Sequence, residues 1–463
     1  MRWAALLLVL LAGEAMAAPN AAVAAALNDA RSLTPGIREQ TRYLPLFAVA
    51  PTHRAEFLKV LRFHVNSLSR EADFANPRLV TPDLAAVVLL DYGWDAKVWE
   101  RFAEVDPYFH VQVEFDWTYD QTRRGWFRAK RARLPALAPW VDAKQYEELV
   151  RLTNSVAPML RADWFVSQTA IQEGRKVGYY DLLGTGKKLA DFEQVVGLDR
   201  KFAQKLKKEI QAVVQVSSVA LHNRHVIRYQ TLTGSYWETL DVKDNTDARN
   251  AIRLLNGDFT HDAREVYGTL PNGLFAFFLS DAVGNRANTA PDFIASDGRS
   301  GGTDRRVHVG LSCVRCHSPG IQPIDCWARR LYTGAIKLDA TDYIKHLRLK
   351  QLYLSDLDGQ IADDQTAYAK ALKRCNGLSP AENARAYAAV WDRYQEQLVS
   401  VEDVARETGY SAEAVVAAIK GRAQAGLADP VLVGLLQRPS IPIQRQHYEE
   451  LQPLLYQTLG AYK

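Results

Sequence analysis

Two cysteines and a histidine stand in one unbroken string, Cys-Val-Arg-Cys-His, at residues 313–317. The two intervening residues let both sulfurs reach the same edge of a porphyrin, where each can form a thioether with a vinyl group, and the adjacent histidine can ligate the iron. The string therefore predicts one covalent haem c held by Cys313 and Cys316, with His317 as the proximal iron ligand. No other feature of the chain restricts its chemistry as strongly.

The same string has three other interpretations: a chance pair of thiols, half of a zinc site, or a redox dithiol. A zinc site needs a second pair of ligands, and a redox dithiol of this spacing is typical of a thioredoxin-like strand–helix–strand unit. Neither context is evident in the sequence around Cys313. Haem attachment is therefore the preferred interpretation.

The first seventeen residues have the pattern of a secretion signal. Arg2 gives a positive start, residues 4–13 are apolar, and Ala15-Met16-Ala17 matches the small-residue pattern of a cleavage site. An ordinary N-terminal helix is the alternative, but it does not explain the cleavage pattern. We expect a cut after Ala17 and a protein that is periplasmic or otherwise exported. No run of 18 apolar residues follows, so no transmembrane segment is expected in the mature chain.

Two cysteines remain outside the string, Cys326 and Cys375. Because an oxidising compartment favours pairing of leftover thiols, we expect a Cys326–Cys375 disulfide. Closing that loop is worth roughly 3 to 4 kcal/mol in the chain-entropy model. The alternative is two buried thiols, since a sequence does not give the Cα separation that a disulfide requires.

Composition limits the class of partner. The chain has 463 residues, 48% of them apolar, and a formal net charge of +4. This length is sufficient for large cores, and the small charge gives no reason to expect a nucleic-acid partner. A local basic cluster around Trp126 and Phe127 could dock an acidic partner, although such runs more often form a solvated face. Its members are Arg123, Arg124, Arg128, Lys130, Arg131 and Arg133.

Hydrophobic spacing predicts helices in the N-terminal part. Thr52 can cap a helix whose apolar stripe includes His64, and a second periodic run begins at Asp199 and ends near Asn223. The first stripe is Phe57, Leu61, His64 and Leu68, and the second is Phe202, Leu206, Ile210, Val213 and Val214.

The pattern then changes to two hairpins. Val226–Thr231 and Tyr236–Val242 flank a turn that contains Gly234, and Glu265–Leu270 and Leu274–Leu279 flank Pro271-Asn272-Gly273. The Asn-Gly step supplies the positive φ that such turns need. We therefore expect a small antiparallel sheet before the haem-attachment segment.

Helical patterns return in the C-terminal part. Gly377 is typical of a helix stop, and Ser379-Pro380-Ala381-Glu382 combines a serine cap, a first-turn proline and a capping-box glutamate. Residues 401–420 resemble a DNA-binding helix-turn-helix, but they lack a basic recognition face, so we expect two packed helices without a nucleic-acid role.

Together these patterns predict an α+β fold, predominantly helical, with a small antiparallel sheet preceding the haem-attachment segment. The expected regions are a signal peptide at 1–17, a helical N-terminal region at 18–220, a β-containing region at 221–300, a haem c attachment segment at 301–345 and a helical C-terminal region at 346–463.

The string at 313–317 resembles that of the c-type cytochromes. A small mitochondrial-type cytochrome also has a ligating methionine downstream, whereas the methionines here are Met1, Met16 and Met159. The run from Leu270-Pro-Asn-Gly-Leu274 through Gly310-Leu-Ser-Cys313 is similar to large exported single-haem proteins of unassigned activity. That resemblance implies a fold family and not a reaction.

The sixth iron position therefore falls to a histidine or stays open. His222 is a candidate because it lies in the loop between the predicted helix and the predicted sheet, and binding and catalytic residues often lie in such loops. His346 is a helical alternative, and His308 would need a tight reversal of the chain. The mature histidines besides His317 are His53, His64, His110, His222, His225, His261, His308, His346 and His447.

These alternatives predict different functions. With histidine on both sides of the iron, the protein is an electron-transfer component that works with a redox partner protein, and its potential is lower than with methionine ligation. With an open face, it is a peroxidase-like enzyme in which His222 is the acid–base group and Arg224 stabilises charge. A haem-based sensor of small ligands is a third alternative.

Overall fold

The computed structural model describes most of the chain. The described residues are 19–111, 116–120, 125–129, 136–138, 141–205, 209–214, 220, 222–244, 259–291, 295–297, 305–317, 320–322, 324, 326, 356–408, 410–424, 443–445, 448–449, 452 and 455. Within them the fold is α+β with helices predominating and antiparallel sheets, which confirms the predicted class.

The helices fall into two groups, before and after the main sheet. The first group is α1 (19–32), α2 (Pro35–Gln40), α3 (Pro51–Ser67), α4 (Ala96–Glu100), α5 (Ala143–Thr153), α6 (Ala162–Thr169), α7 (Tyr179–Leu183), α8 (Leu189–Val195) and α9 (Arg200–Lys205). The second group is α10 (Leu311–Cys316), α11 (Leu357–Asn376), α12 (Pro380–Gln395), α13 (Val401–Thr408) and α14 (Ala412–Gln424).

The strands form one large sheet and several small ones. The small sheets use β1 (Thr41–Pro45), β2 (Arg78–Thr81), β3 (Leu84–Val88), β4 (His110–Val111), β5 (Asp116–Asp120), β6 (Gly125–Ala129), β7 (Ala136–Leu137), β14 (Leu398–Val399) and β15 (Ile443–Gln444). The large sheet uses β8 (Glu209–Val214), β9 (Arg224–Gln230), β10 (Ser235–Asp241), β11 (Ala263–Thr269), β12 (Phe275–Asp281) and β13 (Arg286–Ala287).

Helix α3 lies at the centre of the helical core and packs against α6, α11 and α12. The predicted stripe is confirmed: Phe57, Leu61, His64 and Leu68 are all buried. The cap is different, because the helix begins at Pro51 with Ala50 as its N-cap instead of Thr52. Proline has the φ of the first helical turn and no N–H to satisfy, so it starts a helix without a side-chain cap.

The large sheet is a six-stranded antiparallel meander in which each strand pairs with its neighbours in sequence. Both predicted hairpins are confirmed, with Gly234 at φ 151° and Gly273 at φ 90° in their turns. At the outer edge of β12, the hydroxyls of Tyr179 and Tyr180 accept the backbone N–H groups of Phe277 and Leu279, each at 2.9 Å. The sheet is therefore larger than expected and is closed at this edge.

The helix predicted from Asp199 to Asn223 is wrong beyond its first turns. Helix α9 ends at Lys205, and residues 209–214 form strand β8 along β9. Ile210, Val213 and Val214 fit a helical spacing, but β-branched residues also favour strands, and pairing with β9 satisfies the backbone of the segment. The large sheet consequently begins at Glu209 and not at residue 221, and the region expected to be helical, 18–220, also contains the small sheets of β1 to β7.

Alternation of side chains gives the sheet two different faces. Helices α8 and α9 cover one face, where Arg200 binds Glu238 with two hydrogen bonds of 2.7 Å. Helix α11 covers part of the other face. There Arg228 of β9 makes two 2.8 Å hydrogen bonds to Asp364, and the Trp237 indole donates to the same carboxylate at 2.8 Å. We call this second side the motif face, because α10 also lies on it.

The C-terminal helices follow the predicted boundaries. Gly377 ends α11 with φ 81°, and Ser379 and Glu382 form the capping box of α12. Helices α13 and α14 pack as a pair, and their apolar side chains share a small separate core with β14 and β15. Among the described residues, no helix is long and apolar enough to cross a membrane.

The predicted Cys326–Cys375 disulfide is not formed in the structure, where both thiols are buried. Cys375 lies on the face of α11 that packs on α3, and its Sγ is 3.8 Å from the Arg62 carbonyl oxygen. Burial raises the pKa of Cys375 to about 12, so the thiol stays protonated and is a poor partner in disulfide exchange. The alternative of two buried thiols matches the structure.

The Arg228–Asp364 pair gives a stability prediction. The two side chains are 5% and 10% exposed, and breaking such a pair leaves an uncompensated buried charge. We expect Asp364→Asn to lower the free energy of unfolding by roughly 3 to 5 kcal/mol. Asp363→Asn, on the exposed side of the same helix, is the control and should leave stability nearly unchanged. Equal urea midpoints for the two variants would contradict the role of the pair.

Candidate functional site

The attachment string forms the short helix α10, and its start is fixed by Gly310. This glycine has φ 84°, and a Cβ built there would lie 2.4 Å from the Ala170 carbonyl oxygen and 2.8 Å from Cδ2 of Tyr179. The same carbonyl accepts the Leu311 N–H at 3.0 Å. Only a residue without a side chain therefore lets α10 dock on the end of α6.

Both attachment cysteines are half-buried, and Cys313 has an acidic environment. Burial raises the pKa of the Cys313 thiol well above its ordinary value, and the Glu265 carboxylate raises it further, with smaller contributions from Cys316 and Asp297. The thiol is therefore protonated at neutral pH, and Glu265 lies close enough to Cys313 to interact with it electrostatically.

His317 caps the C-terminal end of α10. Its Nδ1 lies 3.3 Å from the Gly320 carbonyl oxygen, which can only accept, so Nδ1 carries the proton. The ring packs against Tyr267 and Phe277 of the motif face, with centroid distances of 4.7 and 5.6 Å. A backbone hydrogen bond of this kind leaves Nε2 as the nitrogen that can bind a metal.

A row of large side chains continues from His317 across the sheet. Tyr267 stacks on Trp237 at 6.2 Å with an interplanar angle of 12°. The Trp237 indole is held by Asp364, which is paired with Arg228. The surface that supports the His317 ring is thus rigid and mainly aromatic.

Next to this row lies a group of three charges, the buried Arg224 and Asp241 and the half-buried Glu265, which we call the Arg224 triad. Arg224 binds the Asp241 carboxylate at 2.7 Å and the Glu265 carboxylate at 3.1 Å. Burial raises the pKa of Asp241 to about 6, with Arg224 opposing the increase and Glu265 adding to it. Oε1 of Glu265 is buried and makes no hydrogen bond to the described residues.

The string is also tied to the helical core by its own middle residue. Arg315 donates to the Asp392 carboxylate of α12 at 2.7 Å and lies 3.8 Å from the buried carboxylate of Asp297. These contacts hold α10 from the side opposite to the sheet.

The structure brings together some of the predicted site residues. Cys313, Cys316 and His317 share α10, and Arg224 is linked to them through Glu265. Arg224 and His225 point to opposite faces of the sheet. His225 Nε2 lies 3.0 Å from Gln211 Oε1, and burial lowers the pKa of His225 to about 4.

The candidate ligand His222 precedes β9 and is half-buried. Its Nδ1 is buried and makes no hydrogen bond to the described part of the chain. The segment is joined to the neighbourhood of the string, because Ala220 pairs with Ala295 and Asp297, two residues on, contacts Arg315.

Other candidates are elsewhere. His346 lies outside the described residues, as do the side chains of the basic cluster at 123–133. His308 pairs with Thr289 just before α10. His64 is deeply buried between Tyr387 and Thr169, at 3.0 and 2.6 Å, and burial lowers its pKa to about 3.

Sequence analysis missed Asp241, Glu265 and Tyr267. A signal for each of them exists. The turn at 231–234 sets Arg224 opposite Asp241, and Glu265 and Tyr267, two residues apart, share one face of β11. Their proximity to α10 depends on long-range packing and has no local signal.

The donor set fits a covalent haem. Two half-buried thiols and an imidazole with its Nδ1 proton fixed lie at one short helix, and the imidazole ring packs against aromatic rings of the sheet. His222 adds a buried ring nitrogen without a hydrogen-bond partner among the described residues, as an iron ligand requires.

Comparison with protein-family models, with curated proteins and with solved structures finds no match for this chain. The site is therefore interpreted from its own residues.

The docking of α10 is tested by Gly310→Ala. The added methyl group meets a backbone oxygen at 2.4 Å, so the helix must move. Gly377→Ala is a matched control, because Gly377 has a similar φ of 81° with nothing within 4 Å. We expect a loss of about 1 kcal/mol in the control and a loss two to three times larger for Gly310→Ala in urea unfolding, on the usual scale of backbone strain. Equal losses would contradict the proposed docking.

Proposed function

We propose that this protein is an exported monohaem c-type cytochrome that transfers electrons to or from a redox partner protein. The observation that carries the proposal is the arrangement at α10, where Cys313, Cys316 and His317 lie together and Nδ1 of His317 is held by a backbone carbonyl. Covalent haem supplies one-electron exchange at its iron, and the protein supplies attachment, ligation and environment.

The residues around the string have distinct roles in this proposal. Cys313 and Cys316 provide the thioether sulfurs. His317 provides Nε2, and Tyr267 and Phe277 hold its ring in place and exclude water. Rigid support of a ligand ring lowers the reorganisation that accompanies electron transfer.

The state of Arg224 favours electron transfer over peroxidase-like catalysis. A charge-stabilising arginine in an open haem pocket needs N–H groups available to the reacting oxygen. Arg224 is instead bound to both Asp241 and Glu265, so its charge is already compensated. His222 is then better suited to ligate the iron than to act with Arg224 as an acid–base group.

Attachment is tested on exported protein made in cells with a haem-attachment system. We expect the mature chain to begin after Ala17, to carry one haem mass and to keep it in a denaturing gel. Cys313→Ser with Cys316→Ser should remove the haem completely. Cys326→Ser with Cys375→Ser is the matched control and should keep it, because those buried thiols lie outside the string. Haem that survives the first pair of substitutions would overturn the proposal.

The second axial ligand is tested by electron paramagnetic resonance and absorption spectra. We expect low-spin ferric iron with nitrogen on both sides and no band from methionine ligation. If His222 is the ligand, His222→Ala gives high-spin iron, whereas the control His225→Ala does not, because His225 faces the opposite side of the sheet. If neither does, His346→Ala is the variant expected to do so. High-spin iron in the unmodified protein that binds cyanide rapidly would favour the peroxidase-like alternative.

A further inference from the structure

We propose that the Arg224 triad is a proton-exchanging group coupled to the haem, so that the midpoint potential of the protein falls as pH rises. The inference rests on the proposed function. It assigns to Asp241 and Glu265 the role of residues that set the potential without ligating the iron.

The charge count of the triad gives the first argument. Two carboxylates share one guanidinium, with Arg224 Nε on Asp241 and Nη2 on Glu265. If both carboxylates are ionised, this largely buried group has a net charge of −1. Burial of uncompensated charge is costly, so one proton is readily held by the pair.

The Arg224 triad also lies close to the attachment residues. The triad lies on the motif face, in the rows of β9, β10 and β11 that adjoin Tyr267, and Glu265 acts electrostatically on Cys313. Oε1 of Glu265 is buried without a hydrogen-bond partner among the described residues, so the second carboxylate of the triad is only partly compensated by Arg224. Charges in such a low-dielectric environment interact more strongly than at a surface.

Two neighbouring arginines are already compensated. Arg228 is paired with Asp364 of α11, and Arg315 contacts Asp297 and Asp392. The other elements that face the triad differ in their titratable groups. Strand β8 contributes only the apolar Ile210, Ala212 and Val214, and β12 contributes Asp281 at its end. Further titratable groups are Lys243 and Asp262 at the outer end of the hairpins, and Cys313, Cys316, His308 and His317 in α10 and its flanks.

The direction of the pH dependence follows from the charge that the haem gains on oxidation. When one electron leaves for an acceptor, positive charge increases beside Cys313, the ionised carboxylates are favoured, and one proton leaves the pair for solvent. Oxidation is therefore easier at high pH. The pKa of Asp241, raised by burial to about 6, places the effect near that pH. One proton per electron corresponds to a slope of about 59 mV per pH unit, the tenfold constant for a one-electron couple.

The experiment is a spectroelectrochemical titration of the haem-loaded full chain between about pH 4 and pH 9. We expect a falling potential around pH 6 with level regions on either side. Asp241→Asn and Glu265→Gln should each reduce the slope at least twofold. Glu238→Gln is the control, because Glu238 is buried on the opposite face with Arg200.

Each outcome decides the inference. A pH-independent potential in the unmodified protein overturns it without any variant. An unchanged slope in both triad variants also overturns it and assigns the protons to another group. Covalent haem is measured separately by mass: its absence overturns the proposed function as well, whereas haem with a level potential overturns only the coupling. Infrared difference spectra should show a carboxyl band on reduction that Asp241→Asn or Glu265→Gln removes.

Discussion

The ion pair between Arg228 and Asp364 determines how the helical and β layers of this protein meet. A buried arginine on a sheet needs a partner, and α11 supplies it from the middle of its length. The same carboxylate accepts the Trp237 indole, so the aromatic row on the motif face is fixed by the helix that covers it. His317 rests on that row through Tyr267. The support of the candidate ligand thus depends on an interaction between residues distant in sequence.

Local signals predicted much of the fold. The glycine turns at Gly234 and Gly273, the stop at Gly377 and the capping box at Ser379 act over a few residues, and the structure has all of them. Strand β8 shows where such signals fail. Its apolar residues match the periods of both helix and strand, and pairing with β9 decides between them. The number of strands in the sheet likewise depends on pairings between distant segments.

The candidate site divides in the same way. Its attachment residues are contiguous, so the string at 313–317 predicts them directly. The partners of that string come from β11, β12 and α12. Only the register of the hairpins relates Arg224 to Asp241 before the chain folds. The expected disulfide is not formed, because a rule based on compartment and cysteine count does not give the distance between two cysteines. Cys375 packs between α11 and α3. Cross-strand register is therefore the most useful addition to a motif search.

The hydroxyls of Tyr179 and Tyr180 have a consequence for how this chain behaves among copies of itself. An exposed strand edge offers N–H groups to any extended segment nearby, and natural sheets block such edges to prevent association. Here β13 pairs with only two residues of β12, and the two tyrosines take the N–H groups of Phe277 and Leu279. The long apolar strand Phe275–Asp281 is consequently closed to intermolecular β-pairing along this edge.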